Sequence, residues 1–247
     1  MIDIKSENEL MLISEAGRVV RLILEELKYA ARPGITTASL AEKAEEIIKK
    51  CNSRSAFKGY RGYPGIICTS LNEQVVHGIP GEKRLSSGDI LSIDVGIEKD
   101  GYFADSAITV PIGDKVSENA LRLIDITEKS LYLGIEKAVE GNRLFDISNA
   151  VQQFSESHGY GVVRDFVGHG IGKSLHEEPE VPNWGKQGTG PRLKNGMVLA
   201  IEPMINEGGY EVEVLPDGWT AVTKDRSLSA HFEHTIAITE HGPKVLT

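Results

Sequence analysis

Helix-like and strand-like patterning alternate twice along this chain. Ser6-Glu7-Asn8-Glu9 is a capping box, and the apolar positions behind it keep an amphipathic helical period to about Tyr29. Pro33-Gly34 breaks the helix, and Thr37 can cap a second one running to about Lys50. Strand patterns dominate from Ile66 to Val110. A third helix starts near Ser117 and reaches about Val139, where Gly141 stops it. A fourth covers roughly Phe145 to Ser157, and strands return from Val162 onward. Helix, helix, strands therefore occurs twice, as a duplicated half would give. No linker or low-complexity segment divides the chain, so residues 1–247 read as one domain with halves of about 1–115 and 116–247. The Gly- and Pro-rich stretch from Pro179 to Pro191 reads as a surface loop beside the site.

Two strand patterns match closely. Gly88-Asp89-Ile90-Leu91-Ser92-Ile93-Asp94 and Gly196-Met197-Val198-Leu199-Ala200-Ile201-Glu202 share Gly, any, aliphatic, Leu, small, Ile, acid. Each is followed by a further acid inside an apolar strand, Asp105 in the first half and Glu233 in the second. An isolated ionised carboxylate in an apolar interior is very costly unless it is paired or binds a metal. Acids that merely cap turns or pair with Lys and Arg need no such apolar flanks. Carboxylates on duplicated strands point to a metal site between related halves.

Asp100-Gly101 between strand patterns signals a two-residue hairpin turn. With those residues in the turn, Lys99 faces Tyr102 and Gly96 faces Asp105, so Asp94 shares Asp105's face on the diagonal. Such carboxylates can clamp metal ions about 3.5–4 Å apart. The small residues on the Asp94 face, with Ile90, Ser92 and Gly96, leave room for ligand, while Leu91, Ile93 and Val95 point into a core. Alternation also puts His231 on the Glu233 face and the structural His234 on the other; His158 and His241 read as solvated turn residues.

Histidines offer the remaining donors. His169 stands between Gly168 and Gly170, where backbone can approach a ligand closely. His176 follows seven residues on, and His77 lies in the first half; each alone reads equally as a hydrogen-bonded structural residue. Gly168-x-Gly170-x-Gly172-Lys173 fits neither the phosphate-loop nor the dinucleotide-loop spacing, and Pro179 and Pro182 preclude the helix that either requires.

Asp94, Asp105, His169, Glu202 and Glu233, in that order, resemble the five metal ligands of type I methionine aminopeptidases. The supporting phrases are Asn72-Glu73 through His77-Gly78-Ile79-Pro80, Gly168-His169-Gly170-Ile171-Gly172, His176-Glu177-Glu178-Pro179, Ile201-Glu202-Pro203-Met204 and His231-Phe232-Glu233-His234-Thr235. The resemblance covers essentially the whole chain. It implies the pita-bread fold: an α/β (α+β) structure of pseudo-twofold halves with a central curved, largely antiparallel sheet covered by helices. It implies two divalent ions bridged by Asp105 and Glu233, with Asp94 on one and His169 and Glu202 on the other. Cobalt(II), manganese(II), iron(II) and zinc(II) all suit such donors. By the same resemblance a metal-activated hydroxide attacks the first peptide bond, Glu202 moves its proton, His176 contacts the scissile carbonyl, and His77 lies near the substrate backbone. Tyr60, Tyr63, Cys68, Phe166 and Trp219 are implied around a methionine pocket, where aromatics and a thiol suit a thioether. Arg61 stands where many bacterial relatives have histidine, which changes the chemistry of the entrance.

Charge and composition narrow the setting. Lys plus Arg number 27 against 36 Asp plus Glu, a formal charge of −9, which argues against a nucleic-acid partner. Cys51 and Cys68 make no disulfide framework or zinc-ribbon spacing. No signal-peptide pattern and no apolar run of about 18 residues is present, so no membrane partner is expected. The resemblance adds a cytoplasmic monomer whose partners are the N-terminal methionine of nascent polypeptides and, transiently, the ribosome. Proline-specific peptidases of the same superfamily are one rival, but they carry an extra N-terminal domain for which 247 residues leave no room. The helical insertion of type II methionine enzymes is not found. A non-catalytic peptide-binding relative is the other rival; such proteins lack metal ligands.

Overall fold

The structure, a computed structural model, describes residues 2–247. Its helices are α1 (Glu7–Ala30), α2 (Thr37–Lys50), α3 (Glu118–Glu136) and α4 (Leu144–Ser157). The capping box forms: Ser6 Oγ accepts the Glu9 N–H while the Glu9 carboxylate accepts the Ser6 N–H. The cap of α2 is Thr36, one residue ahead of the expected Thr37, whose hydroxyl is engaged instead with the Gly81 backbone. α3 stops at Glu136, short of Val139, because the Lys137 and Ala138 N–H groups turn back to Gly134 and Ile135 in a tighter winding.

The main sheet comprises β1 (Arg54–Ser55), β2 (Cys68–Leu71), β3 (Ile90–Lys99), β4 (Tyr102–Pro111), β5 (Gly168–Gly170), β6 (Glu177–Val181), β7 (Val198–Ile201), β8 (Glu233–Thr239) and β9 (Gly242–Val245). Strand order is β1-β3-β4-β8-β7-β5-β6, with β2 added to β3 and β9 to β8. Every pairing is antiparallel. The first-half hairpin β3–β4 thus meets the second-half pair β7–β8 along the β4–β8 seam, and this curled sheet with its helices is the pita-bread fold. One edge corrects the sequence reading. Residues from Pro179 to Val181 are not loop but the end of β6, an edge strand, where a proline sacrifices no central ladder bond.

Helices cover one face of the sheet. The α1 stripe of Ile13, Val20, Ile23 and Leu27 packs with Leu91, Ile93, Val95 and Ile97 of β3. In the second half, Leu131, Ile135 and Ile147 pack with Leu199, Ile201, Ile236 and Ile238. Each fully buried aliphatic side chain is worth about 1.5–3 kcal/mol, so this face anchors the sheet. At the middle of the sheet the other face is left to the acids.

The space expected beside Asp94 is partly filled. A Cβ at Gly96 would lie 2.5 Å from the Phe57 ring, Ser92 Oγ bonds Thr109 Oγ1 at 2.8 Å, and Ile90 packs with Ala120 and Leu123. Small residues there admit neighbouring side chains rather than ligand.

Candidate metal centre

Strand register gathers the acids into two adjacent rows. Asp94 and Glu233 both oppose Ala107, from β3 and β8 respectively. Ile201 opposes His234, so Glu202 falls beside Glu233 and extends this row. The second row lies two residues along. Gly96 opposes Asp105, the Asp105 N–H bonds Thr235 Oγ1 at 3.0 Å, and Ala200 opposes both Thr235 and His169. Period-two alternation puts both rows on the face away from the helices. Ala107 and Ala200 carry too little side chain to fill the space between donors. His169 is seated by backbone contact: a Cβ at Gly168 would lie 2.3 Å from the Ala200 carbonyl, and one at Gly170 would lie 2.2 Å from that of Glu178.

Donor atoms of Asp105, His169 and Glu233 lie within 4.8 Å of one another. Glu202 joins through Oε1, 3.6 Å from His169 Nε2, and through Oε2, 3.7 Å from His231 Nε2. His169 Nδ1 lies 2.8 Å from the Gly170 carbonyl, which can only accept, so the neutral ring carries its proton there. Its Nε2 lone pair therefore faces carboxylate oxygens. Asp94 Oδ1, Asp105 Oδ1 and His231 Nε2 are buried without a hydrogen-bond partner. The ion pairs among the described residues bring no Lys or Arg to these acids.

Burial dominates the electrostatics. It pushes the Asp105 carboxyl up to about 7, and it raises Asp94, Glu202 and Glu233 well above the carboxylate range. Negative neighbours add to it: Asp105 for Glu202, and Asp105 and Glu202 for both Asp94 and Glu233. Burial lowers His169 to about 4 and His231 to about 3, keeping both neutral. A cluster of acids that cannot all ionise, facing a bare imidazole lone pair, is chemically matched to divalent cations. The residues present fit such ions.

The acids open on a cavity of about 150 Å³. Phe57, Tyr60, Tyr63, Cys68, His77, His176 and Trp219 lie on its wall beside Asp94, Asp105, His169, Glu202 and Glu233, and Arg61 and Leu175 complete it. Phe166 stands behind that wall, edge-on to His77 with ring centres 5.4 Å apart. Trp219 meets Tyr63 edge-on at 5.2 Å, making an aromatic corner on the wall that Cys68 shares. His176 lies 4.1 Å from the His169 ring and 2.9 Å, through Nδ1, from the Tyr60 hydroxyl. Burial first, then the neighbouring His169, lowers His176 to about 3. Phe57 and Leu175 were not expected; a lone apolar residue in a loop carries no sequence signal of which cavity it faces.

Other histidines separate by face. His231 is buried against Glu202, while His234 turns to Ser106, Thr247 and Tyr132 on the far side. His241 is exposed, but His158 is half-buried at the end of α4, tilted against Phe154 with ring centres 4.5 Å apart rather than solvated. The loop before His176 is clamped. Glu177 Oε1 accepts the Lys173 and Ser174 N–H groups at 2.7 and 3.1 Å, and its Oε2 lies 2.5 Å from Lys5 Nζ. The Lys5 side chain is 1% exposed, and its backbone N–H bonds the Gly196 carbonyl, two residues ahead of β7. No helix among the described residues is long and apolar enough to cross a membrane.

A methionine aminopeptidase from Clostridium acetobutylicum is 54% identical over 248 residues, covering 100% of this chain and 99% of its own. The crystal structure of a methionine aminopeptidase from Thermotoga maritima superposes with a TM-score of 0.98 at 46% identity, covering 100% of this chain and 99% of that one. A prolidase from Pyrococcus horikoshii shares the fold at a TM-score of 0.79 and 24% identity, with 99% of this chain aligned to 63% of that one. The model of metallopeptidase family M24 matches residues 11–240, and the chain belongs to that family.

Proposed function

We propose that this protein is a dinuclear metal-dependent aminopeptidase that removes the initiator methionine from nascent chains and peptides. The observation that carries the reading is the His169 Nε2 lone pair set among buried carboxylates with unpartnered oxygens. Asp94, Asp105, His169, Glu202 and Glu233 would hold the ions, with Asp105 and Glu233, on the central seam, reaching both. Bound divalent cations supply Lewis acidity and a water that ionises near neutral pH.

The chain's own groups do the rest. Glu202, beside His169 and His231, accepts the attacking water's proton and returns one to the leaving amine. With the Tyr60 hydroxyl donating to His176 Nδ1, the neutral ring keeps its proton on Nε2, free to donate to the scissile carbonyl as negative charge develops. His77, held by Phe166 and Trp219, faces the substrate backbone. Tyr63, Cys68 and Trp219 enclose one unbranched apolar side chain. The 150 Å³ available is on the scale of a single small apolar group, which suits exopeptidase work. The same reading gives a cytoplasmic monomer, one 247-residue domain of two related halves, that meets emerging chains at the ribosome.

Purified protein loaded with each of cobalt(II), manganese(II), iron(II) and zinc(II) should release methionine from Met-Ala peptides and leave Ala-Pro peptides intact. Xaa-Pro cleavage would indicate a prolidase-like specificity instead. No hydrolysis with any of these metals would leave a peptide-binding protein.

A further inference from the structure

Arg61 is the one permanent cation on a wall otherwise made of carboxylates, imidazoles, aromatic rings, a leucine and a thiol. Its backbone has φ 50°, between Gly59 at 85° and Gly62 at 92°. A non-glycine side chain in the left-handed region is strained, and such strain clusters at ligand clamps. The guanidinium lies 5.4 Å from the Tyr60 ring centre, and that ring stacks on His176 with centres 5.2 Å apart. Among the described residues, the arginine ion pairs belong to Arg18, Arg54 and Arg226. Arg61 is exposed and has no such partner.

Two uses for this cation are unsuited to it. It does not neutralise the buried acids, with which it forms no ion pair, and it repels the α-ammonium of an incoming peptide. A peptide enters the cavity amino end first, so the residues beyond the cleaved bond pass along the mouth. His176 lies 5.2 Å from the Tyr60 ring centre and Arg61 5.4 Å from it, so the guanidinium stands at most about three residues of extended chain from His176.

We propose, building on the aminopeptidase reading above, that Arg61 is a specificity residue favouring substrates with a carboxylate at their third or fourth residue. The guanidinium recognises that group by charge-assisted hydrogen bonding, held in place by the Tyr60 face and the strained turn. An acidic side chain and the free C-terminus of a short peptide present the same chemistry, and amidated substrates distinguish them.

The test compares kcat/KM of the metal-loaded protein for Met-Ala-Glu-Ser-amide and Met-Ala-Lys-Ser-amide. The glutamate peptide should be favoured about 3- to 10-fold, mainly through KM, and the ratio should fall toward one in 0.5 M salt. Arg61→Gln should abolish the preference and Arg61→Glu should reverse it. Met-Ala-Ser as free acid should be favoured over its amide by a similar factor. Equal rates in the unaltered protein, or a preference that survives in Arg61→Glu, would overturn this inference alone. Loss of methionine release from every peptide would overturn the aminopeptidase reading and this inference with it.

Discussion

Stripping the metal should make this protein's stability fall with rising pH above about 7.5, against the usual direction for a protein with buried histidines. The sign follows from the acids. Asp105 titrates near 3.8 in the unfolded chain and near 7 when folded, and Asp94, Glu202 and Glu233 are also raised. A raised carboxyl favours the folded state only while protonated. Its contribution is fully present below the unfolded value and is lost as pH climbs toward the folded one. Histidines oppose this at lower pH. His169, lowered to about 4, and His176 and His231, lowered to about 3, add stability as pH rises to about 6.5, then stop. By pH 8 they are almost entirely neutral in both states and Asp105 has lost its proton, so the three acids raised furthest, Asp94, Glu202 and Glu233, set the slope there. Each carboxyl that keeps its proton only when folded removes about 1.4 kcal/mol per pH unit. For a chain of this length that is roughly 3–6 °C in Tm per retained proton. Thermal unfolding in chelator at pH 7.5, 8.0 and 8.5 measures the slope. Titrating manganese(II) into weakly buffered protein counts the protons released, expected at about one to two per site. With metal bound, the slope should vanish. A flat chelated profile, or metal binding that releases no protons, would refute the reasoning.

Other consequences can be measured directly. Glu233→Gln and Asp105→Asn should lower activity at least about 10³-fold and weaken metal binding, while the chelated variants melt above the chelated parent at pH 8; an active Glu233→Gln enzyme contradicts the bridging role. His176→Ala should cost about 10²-fold in kcat with metal content unchanged by elemental analysis, and equal metal loss would make His176 a ligand. Gly170→Ala forces a Cβ to within 2.2 Å of the Glu178 carbonyl, so it should destabilise by about 1–3 kcal/mol in denaturant titration and lose metal; a fully stable, metal-replete variant would show that β5 and β6 can separate cheaply.

Local chemistry was readable where a short segment decides its own shape. Asp100-Gly101 set the β3–β4 turn, and with it the Lys99–Tyr102 and Gly96–Asp105 pairs and the shared face of Asp94 and Asp105. Ser6 and Glu9 settled the start of α1 in the same way. What escaped depends on distant partners. Nothing near Gly96 announces that the Phe57 ring will fill its space, and nothing near Thr37 reveals that Gly81 will claim its hydroxyl. The Pro179 strand was hidden because an edge strand tolerates what a central one cannot. The Ala107 row was equally out of reach, since its register comes from pairing strands more than a hundred residues apart in sequence.

Lys5 has a bearing on how this molecule could be altered. Residues ahead of a first helix are commonly treated as free to trim or extend. Here the ammonium of one such residue grips Glu177, next to His176, while its amide is tied to the root of the strand that leads to Glu202. A shortened chain beginning at Ser6 would keep its helices and sheet and still present every acid, yet deliver the imidazole on a slack tether. Its defect would surface in turnover before it surfaced in melting.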